Sequence, residues 1–598
     1  MGKKLVSVMN TAFRDGFQSV YGARVFTDDF LPAVEAAREA GFTHFEAGGG
    51  ARYQVPYLYC QEDAFDMMDR FRATAGPDAN LQTLARGVNV VGLDSQSSDV
   101  IDLHAKLFKK HGMTTIRNFD ALNDVRNLSY SGKCIVDAGL KHEVVVTCMG
   151  LPPGCDGAHT PEFYMQVLES ILAAEVPYNS VCFKDASGTA PPSVIYETIK
   201  LARKRLPEGT HIRVHAHETA GTSVMMYKAA LEGGADGIDL AMAPCSGGTS
   251  QPDVVTMWHA LRGTEFDLGL DIEKVLEAEE VFKECMKDYY MPPEAKAVEP
   301  VIPFSPMPGG ALTANTQMMR DNNMLDKYPA VIAAMAEVVL RGGFGTSVTP
   351  VSQFYFQQAF NNVIFGPWKK MSEGYGKMIL GYFGKTPVPP DAELVAIAAD
   401  QLGLQPTTRD PREINDEDPT KGLEVARKRL ESEGLSVTDE HLFIAAALKD
   451  KGIAFLKGEG EIGVRKNVKD APAPVASKAS DSYQVTVSGT RYDVTLSGGN
   501  AIVNGTSYPF AVTAGDGARA QPASAAGGGE AVKSEMPGKV LKVFVSPGQA
   551  VTEGQALVLL EALKMEIEVN APKAGKVSDV HTTAGQTVNP GDVLVTLG

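Results

Sequence analysis

The sequence predicts an α/β protein built on a TIM-type (β/α)8 barrel, followed by a mainly helical region, a small β module and a β-sandwich domain. Three observations predict this. Eight short apolar runs alternate with helix-length segments between residue 5 and about residue 245, and their starts lie on average about 33 residues apart, the repeat of a parallel strand plus its covering helix. Ionisable residues gather at the C-terminal ends of these runs, the rim where barrels of this kind do their chemistry. The last 66 residues repeat themselves at a fixed offset, which points to a two-fold β unit.

The runs are "LVSVMNT" from Leu5, "THFEAGG" from Thr43, "LQTLARG" from Leu81, "TTIRNFD" from Thr114, "HEVVVTCMG" from His142, "SVCFKDA" from Ser180, "HIRVHAH" from His211 and "GIDLAMA" from Gly237. Eight of them in about 250 residues favour a closed barrel over an open sheet. The residues at their ends are Asp15, Glu46, Arg86, Asp120, Lys184, His215 and His217. We assign the barrel to 1–275. From 276 to 466 helical patterns dominate, as in "YPAVIAAMAEVVLRG", interrupted by the Pro- and Gly-rich "PFSPMPGGALTANT", which reads as an ordered loop. A Pro/Ala-rich linker (467–481) leads to alternating "YQVTVSGTRYDVTLSGG" in a small β module (482–513). A Gly/Ala-rich linker (514–532), expected to be flexible, leads to the final domain, 533–598.

Composition narrows the function. A net charge of −17 with no basic cluster argues against nucleic acid as a partner. There is no run of roughly 18 apolar residues and no N-terminal signal pattern, so a cytoplasmic protein is expected, one that can still dock on a membrane complex. The seven cysteines are scattered without CxxC pairs, which speaks against disulfides and zinc ribbons.

In the final domain an offset of 37 residues matches Gly538 with Gly575, Val540 with Val577, Gly548 with Gly585, Val551 with Val588, Gly554 with Gly591 and Leu557 with Leu594. "EALKMEIEV" falls between the copies, with Lys564 at the expected hairpin tip. The plain alternative is an ordinary surface lysine. Motif and duplication together resemble the biotin carboxyl carrier domain, which implies biotin covalently bound to Lys564. The related lipoyl domain typically lacks the Met after the lysine, so biotin is favoured over lipoate.

At the barrel rim, Asp15 in "RDGFQS", Lys184 in "FKDASG" and His215 and His217 in "HAHETAG" suggest a divalent-metal site. Residues two apart on a strand face one side, so both imidazoles can reach one ion. Together with "ARGVNVVG", "FDALND", "SGGTSQP", "MPGG" and "SVTP", taken in order over about residues 5–465, the pattern resembles the biotin-dependent carboxyltransferase family. That family includes the carboxyltransferase domain of pyruvate carboxylase and the oxaloacetate decarboxylase α chain. The resemblance implies a divalent metal (Zn, Mn or Co) held by Asp15, His215, His217 and a carbamylated Lys184. It implies a 2-oxo acid bound by Gln18 and Arg86, and a proton relayed by Thr349 between biotin and substrate. An ion pair with Asp185 is the ordinary alternative for Lys184.

One motif departs from the family. Where relatives read Glu-x-Trp-Gly-Gly-Ala-Thr-Phe-Asp, this chain has "EAGGGARYQ", placing Gly48, Arg52 and Gln54 at the Trp, Thr and Asp positions. After "ARGVNVVG" comes "LDSQSSD" in place of a stretch containing Tyr. Either this is compensated drift with pyruvate and oxaloacetate still the substrates, or Arg52 on the rim pairs a second carboxylate and the acceptor has changed.

The chain contains no ATP-grasp-like segment and no GxxxxGK[ST] loop, so a second polypeptide is expected to charge or discharge the biotin. It is either a biotin carboxylase subunit, as in a two-subunit pyruvate carboxylase, or a membrane carboxybiotin decarboxylase subunit, as in oxaloacetate decarboxylase. The order of parts leans slightly to the decarboxylase setting, and a homo-oligomer is expected. The rival readings are an acyl-transferring lyase or synthase on the same metal barrel, and an inactive carrier or scaffold.

Overall fold

The computed structural model describes residues 3–467, 482–487, 490–497, 500–503, 506–509, 530–534, 536–562, 565–589 and 591–598. The chain divides into two compact units, Met1–Lys466 and Asn467–Gly598.

All eight apolar runs form strands of one closed barrel: β1 Ser7–Asn10, β2 His44–Gly49, β3 Asn80–Ala85, β4 Thr115–Asn118, β5 Lys141–Thr147, β6 Ser180–Asp185, β7 His211–Ala216 and β8 Gly237–Leu240. Neighbouring strands are parallel, and β8 closes on β1 through Ser7↔Gly237 to Asn10↔Leu240. Their apolar residues pack outward against the helical layer, as parallel strands buried on both faces require. The β6–β7 register sets Lys184 beside His215, so two candidate metal-site residues are neighbours by strand pairing alone.

The turn leaving β1 is a single wide π-type turn, Ala12–Gly16, continued by α1 Phe17–Tyr21 and then α2 Thr27–Glu39. Phe13 in that turn anchors it. Its ring lies 5.1 to 6.3 Å from those of Phe282, Phe17, Phe71, Phe30 and Phe45. Phe282 sits on α3 Ile272–Met286, which begins where the Asp271 carboxylate accepts from the backbone N–H groups of Glu273 and Lys274. The boundary expected at 275 therefore falls inside a helix that completes the barrel's own core.

The region after α3 holds helices and no strand as far as residue 467. "PFSPMPGGALTANT" is a loop only to Pro308. From Gly309 it is helix α4, Gly309–Asp321, because the two glycines fall in a first turn, where the backbone N–H groups have no intrahelical partners to lose. Helix α5 Val351–Phe365 follows the "SVTP" motif.

In the second unit, strands Ser482–Val487, Thr490–Ser497, Asn500–Val503 and Thr506–Pro509 make a four-stranded antiparallel meander, as expected for the small β module. The final domain is two four-stranded sheets. One orders its strands 530–533, 593–597, 575–580, 550–551; the other 565–570, 556–562, 538–543, 587–588. Adding or subtracting 37 residues carries one sheet onto the other. The hydrogen bonds repeat with it: Gly548 N–H to Val577 O and Gly585 N–H to Val540 O are both 2.7 Å. Val540, Val551, Leu557, Val577, Val588 and Leu594 fill the core between the sheets. The first strand starts at Glu530, within the segment expected to be linker. The linkers at 468–481 and 514–529 lie outside the described residues.

Among the described residues no helix is long and apolar enough to cross a membrane. Phe13→Ala should lower the stability of the Met1–Lys466 unit by about 3–5 kcal/mol, the usual cost of emptying a buried aromatic site, measured as a lower denaturant midpoint in unfolding of the full chain.

Candidate metal centre at the barrel mouth

The C-terminal strand ends bring Asp15, His215, His217 and Lys184 together. Asp15 Oδ2 lies 3.2 Å from both His215 Nε2 and His217 Nε2 and 3.9 Å from Lys184 Nζ. One ligand atom from each of Asp15, His215 and His217 can be chosen so that all three lie within 4.8 Å of one another. All four residues are buried. The His215 Nε2 atom makes no well-formed hydrogen bond despite its burial, which leaves its lone pair for something else. Two imidazoles and a carboxylate are a donor set suited to a divalent transition metal, so the residues present fit such an ion.

The electrostatics agree. Burial alone would raise the Asp15 carboxyl, but the Arg14 guanidinium and the imidazoles of His217 and His215 close by hold it well below the usual carboxylate range. Burial, with Lys184 close by, depresses His215 to about 4; a neutral imidazole is the ligating form. Burial also lowers the Lys184 ammonium, with Arg117 and Arg14 acting in the same direction against the pull of Asp15, which favours the free amine. Asp185, the ordinary partner considered for Lys184, faces elsewhere: it accepts from the N–H groups of Ser187, Gly188 and Ala190 at 2.7 to 3.0 Å. Successive residues of a strand point to opposite sides, and β6 ends accordingly.

Around this centre lie residues that the sequence motifs name and others that they do not. Arg86 Nη1 donates to the carbonyls of Val91 and Gly92 at 2.7 and 2.9 Å, holding its own loop and leaving its Nε without a partner. Burial, together with Arg14, lowers Arg86 to about 9. Arg14 opens the "RDGFQS" motif, from which the sequence reading takes only Asp15 and Gln18. Its Nη1 lies 3.2 Å from Asp15 Oδ1 and 3.4 Å from Glu46 Oε1. Arg14 and Arg86 converge at Gly50, where an added Cβ would lie 2.9 Å from Arg86 Nη2 and 3.2 Å from Arg14 Nη2. Gly50 has φ +55°, so the glycine is needed for conformation as well as for space. Gln18, on α1, packs against Gly310 of α4, and its Oε1 is buried without a partner.

Thr349 is half-buried and rides on a segment bound across the strand ends. Thr346 N–H donates to Ala121 O at 2.7 Å, and the Thr346 and Thr147 hydroxyls share a hydrogen bond at 2.9 Å. Behind the metal residues lie further groups to which the sequence reading assigns no role, although Gln251 and Thr249 fall within "SGGTSQP". Gln251 Nε2 is 3.0 Å from His217 Nε2 and 3.2 Å from Asp15 Oδ2, the His217 Nδ1–H donates to Thr249 O at 2.7 Å, and Asp239 lies against His215. The available signal is a charge inside an apolar run: Arg117, Arg213 and Asp239 all interrupt strands, and a charge there must find a partner across the barrel.

The structure places Arg52 in the helical layer. It is fully buried, its Nη1 donates to Ala23 O and Val25 O at 3.0 and 2.8 Å, and its guanidinium stacks over Phe30 and Phe17 at 4.8 and 5.5 Å. The short helix Ala51–Val55 turns it away from the metal centre into the aromatic cluster. Gly48 likewise faces the helical layer: a Cβ there would touch Met68 and Thr83 at 3.7 Å. Lys564 lies outside the described residues. The strands on either side of it, Ala556–Ala562 and Met565–Asn570, are antiparallel and paired as far as Ala562↔Met565.

A barrel with this buried centre, on a chain that also carries a duplicated β-sandwich domain, defines a metal-dependent enzyme with a carrier. Family models match in three places: "Conserved carboxylase domain" over 302–496, "Biotin-requiring enzyme" over 530–597 and "HMGL-like" over 132–282. The chain is 30% identical over 571 residues to a pyruvate carboxylase subunit of Methanocaldococcus jannaschii, covering 94% of each. It is 29% identical over 618 residues to the 2-oxoglutarate carboxylase large subunit of Hydrogenobacter thermophilus, covering 95% of this chain and 91% of the relative. The carboxyl transferase domain of Rhizobium etli pyruvate carboxylase, solved with pyruvate and biocytin, shares the fold with a TM-score of 0.69 at 23% identity, over 85% of this chain and 88% of that one. The chain belongs to the biotin-dependent carboxyltransferase family. It catalyses biotin-dependent carboxyl transfer, with covalent biotin and a divalent metal as cofactors.

Replacing Arg52 with Met should leave the KM for every 2-oxo acid tested unchanged while lowering stability by about 1–3 kcal/mol, since two buried carbonyls lose their donor; parallel kinetics and denaturant titration check both halves.

Proposed function

We propose that this chain is the carboxyltransferase subunit of a two-subunit 2-oxo acid carboxylase. It would move a carboxyl group between biotin on Lys564 and the carbon next to the carbonyl of the acid. The carrying observation is the convergence of a buried Asp15–His215–His217 donor set with the Arg14–Arg86 pair at Gly50. Of the two settings expected from the sequence, the carboxylase is supported by relatives that match nearly end to end and are named for pyruvate and for 2-oxoglutarate. A separate biotin carboxylase subunit is the partner this reading calls for. A membrane decarboxylase partner is the other setting, and co-purification of the native protein distinguishes them.

Asp15, His215 and His217 would hold the divalent ion, with Lys184 joining them as its carbamate, and the ion would supply positive charge beside the substrate carbonyl. Biotin would supply a ring nitrogen that accepts or releases the carboxyl group. The protein's part is to bind and orient the substrate and to move a proton. The Nε–Nη2 edge of Arg86 can take the substrate carboxylate in two parallel hydrogen bonds, while Arg14 adds positive charge on the same side. Gln18, whose amide oxygen lacks a partner, presents an amide to the substrate's carbonyl end. As the carboxyl group leaves carbon for nitrogen, carbon gains a proton and nitrogen loses one. The Thr349 hydroxyl can give the first and take the second. Burial of the centre excludes water, which strengthens each of these interactions.

Lys564→Arg should abolish incorporation of biotin, seen by mass spectrometry of the intact chain, and transfer to the chain's own carrier, while decarboxylation of oxaloacetate stimulated by free biotin persists. Thr349→Ala should reduce both reactions by at least about 100-fold, the usual worth of a positioned acid–base group. Biotin found on Lys564→Arg, or full activity in Thr349→Ala, would refute the respective assignment.

A further inference from the structure

The barrel interior below the metal centre is a chain of alternating charges. His215 Nδ1 is 2.8 Å from Asp239 Oδ2, and the same oxygen accepts from Arg117 Nη1 at 2.6 Å. Arg117 Nε donates to Glu143 Oε1 at 2.6 Å, and Arg213 Nη1 reaches Asp239 Oδ1 at 3.3 Å. All five side chains are buried. They come from β4, β5, β7 and β8, so the barrel's closure is what assembles them. One contact in this chain is a conflict: Arg117 Nη1 is also 3.3 Å from His215 Nδ1. Arg117 can only donate. If His215 Nδ1 were the acceptor of that hydrogen, the ring would carry its proton on Nε2 and could not ligate a metal through that atom.

We infer that Asp239 and Arg117 are positioning residues of the metal centre, with Asp239 setting the His215 tautomer against the competing donor. Asp239 takes the Nδ1–H and so leaves the Nε2 lone pair facing Asp15. Arg117 holds Asp239 Oδ2 against His215 Nδ1, and Glu143 holds Arg117. This inference rests on reading Asp15, His215 and His217 as metal ligands and extends the site two residues deeper, to groups that touch neither metal nor substrate. Removal of the Asp239 carboxylate hands Nδ1 to Arg117. The wrong tautomer then follows, and not merely a looser ring.

The test is metal affinity of the full-length protein, measured with cobalt or zinc by chelator competition, together with the visible absorption spectrum of the cobalt form. Asp239→Asn, which keeps the side chain's shape but turns one accepting oxygen into a donor, should bind metal about 10–100-fold more weakly with an altered cobalt spectrum. Wild-type affinity and spectrum in this variant would overturn the inference. Arg117→Lys keeps the charge but cannot reach Glu143 and Asp239 at once; if Asp239→Asn fails to fold, this variant decides. A loss of about tenfold in its metal affinity sustains the relay, and an unchanged value overturns it. Wild-type protein that binds no divalent ion would instead refute the ligand assignment on which the inference rests.

Discussion

The catalytic unit depends on keeping Asp15 ionised and buried at the mouth of a closed barrel. A carboxylate out of water costs several kcal/mol unless charge and hydrogen bonds compensate it, and the Arg14 guanidinium 3.2 Å away supplies that charge. Arg14 lies beside it in the chain, β7 contributes His215, the turn after β7 contributes His217, and β6 brings Lys184 to 3.9 Å. The usual barrel is plugged by layers of branched apolar residues. Here, Arg117, Glu143, Arg213 and Asp239 occupy the middle. Each charge in that plug neutralises the next, so the interior is electrically balanced down to His44 and Gln82 near its base, where Gln82 Nε2 donates to Glu143 at 2.8 Å.

Much of this was legible in the sequence because its signals are local. A strand and its covering helix recur at a fixed spacing, so the starts of the eight runs fall within two residues of the strand starts. HxH on a strand states its own geometry, and so does a lysine next to an aspartate whose side chain must point the other way. The duplication was equally plain, since matched glycines and valines at one offset leave no other reading than two copies. What the sequence hid is what only closure decides. Arg117 and Asp239 stand out as charges in apolar runs, but their partners sit on strands up to 122 residues away. Arg14 is overshadowed by the aspartate beside it. Arg52 defeats a reading by chain position, which puts it just past a strand end, because the direction of the short helix that carries it decides whether it faces the mouth or the core.

The "EAGGGARYQ" departure can now be placed. Of the three substitutions that suggested a changed acceptor, Gly48, Arg52 and Gln54, the first two face the outer layer. Arg52 fills space among Phe17 and Phe30 and ties down the carbonyls of the loop after α1. That arrangement is compensation within the layer behind the metal centre, and it removes the reason to expect a second carboxylate to be read at Arg52. The part of the motif that faces inward serves the centre directly: Glu46 holds Arg14, and Gly50 makes room for two guanidinium groups.

Selectivity between a short and a long 2-oxo acid must then arise elsewhere on the rim, and the candidates are few. The Arg14–Arg86 pair is consistent with either acid, because a guanidinium pair recognises the carboxylate common to both. The loop that follows Arg86 is different. Its carbonyls at Val91 and Gly92 take up Arg86 Nη1, and its Asn89, Ser95 and Asp94 hydrogen-bond among themselves and to Lys421 of the helical region. A change in that loop's length or set would redirect the edge of Arg86 that is left free of the loop. On the proposed reading, in which Arg86 takes the substrate carboxylate, the "LDSQSSD" stretch would act on specificity through the loop that positions Arg86.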